Sequence, residues 1–321
     1  MAQFLIKRLL STIPVIFLTS IIVFGLMRLL PGDPILLLVE GAQTEVSEET
    51  IANLRATHGL DKPIATQYII WLSNMLSGDL GWSYQTNQRV WDIMRVRILP
   101  TVQIGLLGWF MAILIAIPLG VVAATSPHSW KDWMGTAGSL IGAAMPYFLI
   151  GGLLIYVMAL RLKWLPASGF VSPFDDPVAS LKTSIMPAIT LGLGLAAIIM
   201  RQTRSSFLEV FQHGYIRTAR AKGLSQRNVI FAHAFKNALL PVVTILGIQL
   251  GSLFSGAVIT ETIFAVPGIG RLLVDSILSR DYQTIQAVVL FITFAVVFAN
   301  LAVDITYGFL DPRIRQGTTH E

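Results

Sequence analysis

Long apolar blocks divide this chain: Leu9 to Leu30, Thr101 to Ala124, Thr136 to Leu160, Ile185 to Met200, Ala238 to Thr260, and Ile285 to Leu310. A helix needs about 20 mainly apolar residues to cross the hydrocarbon core of a bilayer, and five of the six blocks reach that length. The fourth is short and is expected to borrow Thr183, Ser184 and the aliphatic stem of Arg201, whose charged end can snorkel to the interface. Pro14, Pro118, Pro146 and Pro187 fall inside or at the edges of these blocks. They predict kinks, not gaps, because neighbouring groups in a membrane bundle can take up the freed carbonyls. Composition agrees, with 54% hydrophobic and 13% charged residues and a mean hydropathy of +0.68, against roughly 25% charged in a soluble domain. The blocks are continuous instead of alternating, so lipid is the solvent. The predicted class is an all-α membrane protein with about six transmembrane helices.

Lys7 and Arg8 precede the first block, as in a signal peptide, but the run is too long for a signal core. It ends in Arg28-Leu-Leu-Pro-Gly-Asp-Pro34 instead of a small-residue cleavage site, so it reads as a retained anchor. With the N-terminus inside, the inner segments 1–8, 125–135, 201–237 and 311–321 hold 12 basic residues and four acids, Asp132, Glu209, Asp311 and Glu321. The outer segments hold 13 acids and ten bases. The positive-inside tendency therefore places both termini in the cytoplasm.

The chain lacks the tools of an enzyme or a pump. It has no cysteine and five scattered histidines. It has no phosphate loop (no Gly-Lys pair occurs), no G-x-S-x-G elbow and no H-E-x-x-H. Asp304 is the only acid well inside a predicted span, one turn from Asn300, and an intramembrane charge calls for a partner or the interface. A structural pair with Lys7, Arg8 or an inner-loop Arg is the favoured reading over a proton or cation relay. Arg28 reads as an interfacial snorkelling residue. A secondary transporter should show mid-membrane titratable groups or related halves, and an intramembrane hydrolase needs a nucleophile with its base. Neither pattern is clear here. Costly work would have to be powered by another polypeptide.

Two stretches outside the spans are long enough to have a task. In the outer one, Pro31 to Pro100, the residues Ile64, Tyr68, Trp71, Leu72, Met75 and Leu76 recur at helical spacing, which predicts a helix packed on the other spans or the membrane surface. In the inner one, Arg201 to Lys236, Tyr215 to Lys222 reads as a short helix. Gly223 would end it by accepting the left-handed conformation, and Ser225 would cap a following helix through Phe231 and Phe235. This knob suits a groove on a soluble partner, although an ordinary basic inner loop would obey the same charge rule.

The string Tyr215-Ile-Arg-Thr-Ala-Arg-Ala-Lys-Gly-Leu-Ser225, followed by Lys236-Asn-Ala-Leu-Leu-Pro-Val-Val-Thr244, resembles the coupling loop of binding-protein-dependent ABC importer permeases of the dipeptide/oligopeptide family, which includes glutathione and nickel systems. The wider importer class has Glu-Ala-Ala, three residues, then Gly. Here Arg217, Thr218 and Ala219 take the first three positions, and the proline lies farther beyond Gly223, departures that favour the peptide branch. The resemblance continues through Leu30-Pro-Gly-Asp-Pro34, His58-Gly-Leu-Asp-Lys-Pro63, Ser77-Gly-Asp-Leu-Gly81, Trp164-Leu-Pro-Ala-Ser-Gly169, Glu261-Thr-Ile-Phe-Ala-Val-Pro-Gly-Ile-Gly-Arg-Leu-Leu-Val-Asp275 and Asp311-Pro-Arg-Ile-Arg315.

The resemblance implies a type I ABC importer permease fold, in which residues 1–30 form the N-terminal transmembrane helix and 31–99 an extracytoplasmic segment. Residues 100–310 would form a five-helix permease domain with its coupling loop at 201–237, and 311–321 a cytoplasmic tail. It further implies a multi-pass subunit of a bacterial inner membrane that imports dipeptides, oligopeptides or glutathione, with nickel or another small solute as the alternative cargo. The implied partners are a second homologous permease, two ABC ATPase subunits and an extracytoplasmic solute-binding protein, with no nucleic acid. ATP and Mg would be bound by the ATPases, leaving this chain without cofactor or metal. Arg217, Thr218, Ala219, Arg220, Ala221, Lys222 and Gly223 would be the ATPase-coupling residues.

Overall fold

A computed structural model describes residues 2–29, 53, 56 and 61–310. Ten helices carry the architecture: α1 Ala2–Leu29, α2 Ile64–Leu76, α3 Val90–Thr125, α4 Trp130–Ala144, α5 Tyr147–Leu154, α6 Pro177–Val210, α7 Gly214–Ala221, α8 Phe235–Ile263, α9 Ile269–Leu278 and α10 Tyr282–Leu310. α5 runs on in π register over Ile155–Arg161, and α8 is preceded by a π stretch over Val229–Ala234. Among the described residues five helical stretches are long and apolar enough to cross a membrane, and α4 with α5 makes a sixth if the bent pair is one span. Their outer surfaces carry exposed Leu, Ile, Val and Phe along α1, α3, α4 and α5, as lipid-facing helices should.

The bundle is organised by α3 and α6. Along α3, Gly105, Gly108, Ala112, Ala116, Gly120 and Ala123 recur every third or fourth residue and are all buried, so one face of that helix has almost no side chains. Gly192 of α6 meets it so closely that a Cβ there would lie 2.7 Å from the Gly108 carbonyl oxygen, and a Cβ on Gly120 would lie 2.6 Å from the Thr203 Cβ. Small residues of this kind let two membrane helices bring their backbones together, where dispersion contacts replace the hydrophobic drive that lipid cannot supply. α8 closes on the same core through Val242 and Leu253.

Two sequence expectations need correction. The fourth span is not short: α6 has 34 residues, with Pro177 in its first turn and the Asp176 carboxylate accepting from the Val178 and Ala179 amides at 2.9 and 3.0 Å. Its apolar run is bounded by Lys182, Thr183 and Ser184 on one side and by Arg201, Gln202 and Arg204 on the other, all of which belong to the same helix; the Asp176-Pro177 pair marks its start. The third span is broken, not kinked. α4 and α5 meet at 102° across Met145 and Pro146, because the proline has no N–H to donate and pushes Met145 into an extended conformation, ψ 124°.

The predicted outer helix exists as α2. Tyr68 meets Phe24 of α1 edge-on and Trp71 meets it at a tilt, with ring centroids 5.4 Å apart in each case, and the Ser20 and Tyr68 hydroxyls are hydrogen-bonded at 2.8 Å. The middle of the stripe, Tyr68, Trp71, Leu72 and Met75, is therefore used for packing, while Ile64 and Leu76 at its ends are exposed. The Arg28 guanidinium lies 5.2 Å from the Phe24 ring centroid. The side chains of Lys7, Arg8 and Asp304, the motifs Leu30 to Pro34 and Asp311 to Arg315, and His58 to Leu60 lie outside the described residues.

Replacing Gly192 with Val should push α3 and α6 apart. The expected cost is at the upper end of the roughly 1–3 kcal/mol typical of overpacking, read as a lowered thermal midpoint of the detergent-solubilised protein, whereas Gly138→Ala on α4, where an added Cβ meets nothing within 4 Å, should leave it unchanged.

Candidate functional site

Beyond the end of α6 the chain folds into a protruding element. α7 buries Ile216 and Ala219 against Phe207 and Val210 of α6, Val229 and Ala234 of the π stretch, and Ala124 and Ala238. That small core fixes the helix to four other segments, α3, α6, the π stretch and the start of α8. Its termination follows from glycine. Gly223 has φ +77°, its amide donates to the Arg220 carbonyl at 3.0 Å, and the Leu224 amide donates to the Ala219 carbonyl at 3.4 Å. This pair of bonds is the Schellman closure that a left-handed residue permits. The Ser225 hydroxyl then accepts from the Asn228 amide at 3.4 Å and starts the next segment.

The seven residues singled out by the sequence do not all face the same way. Arg217, Thr218, Ala221, Lys222 and Gly223 are exposed, whereas Ala219 is buried and turns toward the bundle. Arg220 folds back over the Phe211 ring, 5.5 Å from its centroid. At the start of the helix, Tyr215 stacks on His213 at 5.8 Å and accepts from Asn237 Nδ2 at 2.8 Å. The helix expected over Tyr215 to Lys222 is thus observed one residue earlier at each end, held rigidly by both its neighbours.

Three buried carboxylates, to which the sequence reading assigned no site, brace the rest. Near the α7 end, Asp132 on α4 receives a two-pronged interaction from Arg204 on α6, Nε at 2.5 Å and Nη2 at 2.8 Å, and accepts from the His128 amide at 3.0 Å. At the opposite end, Glu261 is fully buried. It accepts from the Thr101 hydroxyl of α3 at 2.5 Å and from the Arg271 amide in the first turn of α9 at 2.9 Å, while Thr101 Oγ1 accepts from the Ile269 amide at 2.8 Å. A carboxylate at a helix N-terminus satisfies orphan amides and opposes the positive end of the helix dipole. Gly268 is required beside it, since a side chain there would collide with the Glu261 carboxylate. Asp281 caps α10 by accepting from the Thr284 amide at 3.4 Å, and also accepts from Thr284 Oγ1 at 2.6 Å, Ser83 Oγ at 2.5 Å and the Tyr84 amide at 3.2 Å. The outer segment after α2 is tied down by that contact.

Glu261 lies in the last turn of α8, which continues through Ile263, beyond the Gln226–Gly251 stretch that is long and apolar enough to cross a membrane. Asp281 before an apolar run is a legible N-cap signal; nothing in the sequence pairs Asp132 with Arg204, 72 residues away. Among the described residues no cluster of His, Cys, Asp or Glu could hold a metal.

The helical bundle, its bent span and its protruding helix define a membrane-embedded transport subunit. Residues 116–316 match the family described as binding-protein-dependent transport system inner membrane component, and residues 1–105 match the N-terminal component of such systems. The chain belongs to this family and is an ABC importer permease subunit of the inner membrane, not an enzyme. It is 39% identical over 98% of its length to all of a probable peptide ABC transporter permease of Sinorhizobium fredii. It is 38% identical, over 98% of its length and 99% of theirs, to the glutathione and dipeptide transport system permeases of Escherichia coli. Among solved structures, the inward-facing MetNI methionine ABC transporter matches at TM-score 0.57 with 16% identity, covering 68% of this chain and 96% of that one. An amino acid ABC transporter with histidines matches at 0.53 with 11% identity, covering 67% and 93%. These confirm the type I importer fold. Membership of the family implies ATPase and binding-protein partners.

Two variants separate the braces. Asp132→Ala leaves a partly buried guanidinium without its carboxylate and should cost about 3 kcal/mol or more. Thr101→Val strands the Ile269 amide and should cost about 1–3 kcal/mol. Both are read as thermal midpoints, and a shift near zero for Asp132→Ala would show that the pair does not brace α4 on α6.

Proposed function

We propose that this chain is a peptide-importing permease whose helix α7 receives the power stroke of an ABC ATPase. Cargo of the dipeptide, oligopeptide or glutathione class is supported by the curated relatives, which match across almost their whole length and are peptide, dipeptide and glutathione permeases. In this reading both termini lie in the cytoplasm, as the excess of inner Lys and Arg favours. Residues 1–30 supply the first span, 31–99 the extracytoplasmic segment, 100–310 the permease domain and 311–321 the tail. The working assembly adds a second homologous permease, two ATPases and a binding protein that delivers cargo from outside.

The observation that carries the proposal is the way α7 is presented. It is short, exposed along Arg217, Thr218, Ala221 and Lys222, locked at its C-terminus by Gly223, and rooted through Ile216 and Ala219 in a core that also contains α3, α6 and the start of α8. A force on such a helix moves the ends of the central spans together, which is what coupling between two states requires of a connecting element. Arg217, Thr218, Ala221 and Lys222 would meet the ATPase. Arg220 and Gly223 would hold the shape of the element, and Ala219 would anchor it. ATP and Mg act on the partner; this chain contributes the lever and the path.

Gly223→Val tests the assignment. A β-branched residue at φ +77° is strained by about 1–2 kcal/mol, and nothing within 4 Å of the new Cβ adds a clash. The protein should reach the membrane at normal levels while uptake of a labelled dipeptide falls at least tenfold and ATP hydrolysis continues. Uptake equal to that of the unmodified protein would overturn the reading.

A further inference from the structure

The outward surface of α7 has one sign of charge. Arg217 and Lys222 are exposed on either side of the small residues Thr218 and Ala221, Arg227 stands exposed just beyond the Gly223 turn, and Leu224 adds an apolar edge 38% exposed. Among the described residues none of these three cations forms an ion pair; the ion pairs of Arg95, Arg204 and Arg271 lie on other helices. Glu209 is the single acid between Arg201 and Asn237. Arg220 is exposed as well but leans over the Phe211 ring, 5.5 Å from its centroid, on the side of the helix nearer the bundle.

Attraction to a lipid surface explains basic residues close to the bilayer, but it fits this helix poorly. The apolar run of α6 ends at Met200 and the helix continues to Val210, about 15 Å farther at 1.5 Å per residue. The headgroup layer is only about 5–7 Å thick on each side, and surface potentials fade within a Debye length of about 8 Å. The middle of the outward face also offers Thr218 and Ala221, not an apolar wedge that could enter lipid. Two cations flanking a flat small-residue stripe, rigidly held and extended past the headgroups, fit a protein groove with carboxylates on its rim.

We infer that the groove which receives α7 is acidic, with carboxylates placed to pair with Arg217 and Lys222, and that this charge match selects the ATPase partner. The inference rests on the coupling reading of α7. Charge pairs at the rim of an interface act mainly on recognition and association and weaken with salt, while the small residues at the centre set the fit.

The test uses the assembled transporter in lipid nanodiscs and three permease forms: unmodified, Arg217→Gln with Lys222→Gln, and Arg217→Glu with Lys222→Glu. Retention of the ATPases on the tagged permease at 0.15 M salt, on the order of the physiological value, should fall in that order, with the Glu form losing at least tenfold. The unmodified form should also lose ATPase as salt rises. Equal retention by all three forms, or retention that is independent of salt, overturns the proposal. The chain has no cysteine, so Thr218→Cys gives a unique cross-linking position that reports the coupling reading separately. A cross-link to the ATPase together with equal retention would sink the acidic groove and leave the coupling reading standing; no cross-link at all would sink both. Flotation of the isolated permeases' α7 variants, reconstituted without ATPase, with anionic phosphatidylglycerol vesicles is the lipid control: binding that follows the charge order there would overturn the protein-groove assignment.

Discussion

Everything else in this bundle is arranged around the place where α3 and α6 touch. Backbone carbonyls and glycine Cα atoms meet directly at Gly108 and Gly192, a distance that any side chain would prevent. In lipid, apolar side chains gain little by leaving one hydrocarbon for another, so close packing and internal hydrogen bonds must hold helices together. The glycine and alanine face of α3 supplies the packing. The Asp132–Arg204 pair and the Thr101–Glu261 bond supply polar fasteners at the two ends. With the central pair fixed, α8 and α4 have a rigid surface to rest on, and the helices farther out can face lipid.

The polar contacts follow a single pattern. Each buried carboxylate sits at a helix start or draws amides from one: Asp132 in the first turn of α4, Glu261 against α9, Asp281 before α10. Unpaired amides would be costly at these depths. Among the described residues the buried acids Asp132, Glu261 and Asp281 all answer amides in this way.

Much of this was legible beforehand. Continuous apolar blocks revealed the spans, and Gly223 and Ser225 revealed the protruding helix and its turn, because both features are encoded within a few adjacent residues. What was not legible depends on distant partners. Nothing local shows that Ala219 points inward while Thr218 points outward until α6 and the π stretch are in place. The length of α6 does not show in hydropathy, because the polar and charged residues that bound its apolar run, Lys182 to Ser184 and Arg201 to Arg204, continue the same helix. Pro146 was read as a kink because proline is often tolerated in membrane helices; the corner comes from Met145 adopting an extended backbone, which sequence alone does not fix.

The π stretch Val229–Ala234 lies between α7 and the apolar length of α8. A π turn bonds each residue to one five positions away and fits an extra residue into the turn, an arrangement less favourable than the α-helix on either side. If α7 moves as the coupling proposal requires, that movement would reach α8 through this joint, where a bond passing to its neighbour four residues away would rotate the helix above by a fraction of a turn. A straight α-helix would transmit a push; this one would also transmit a twist.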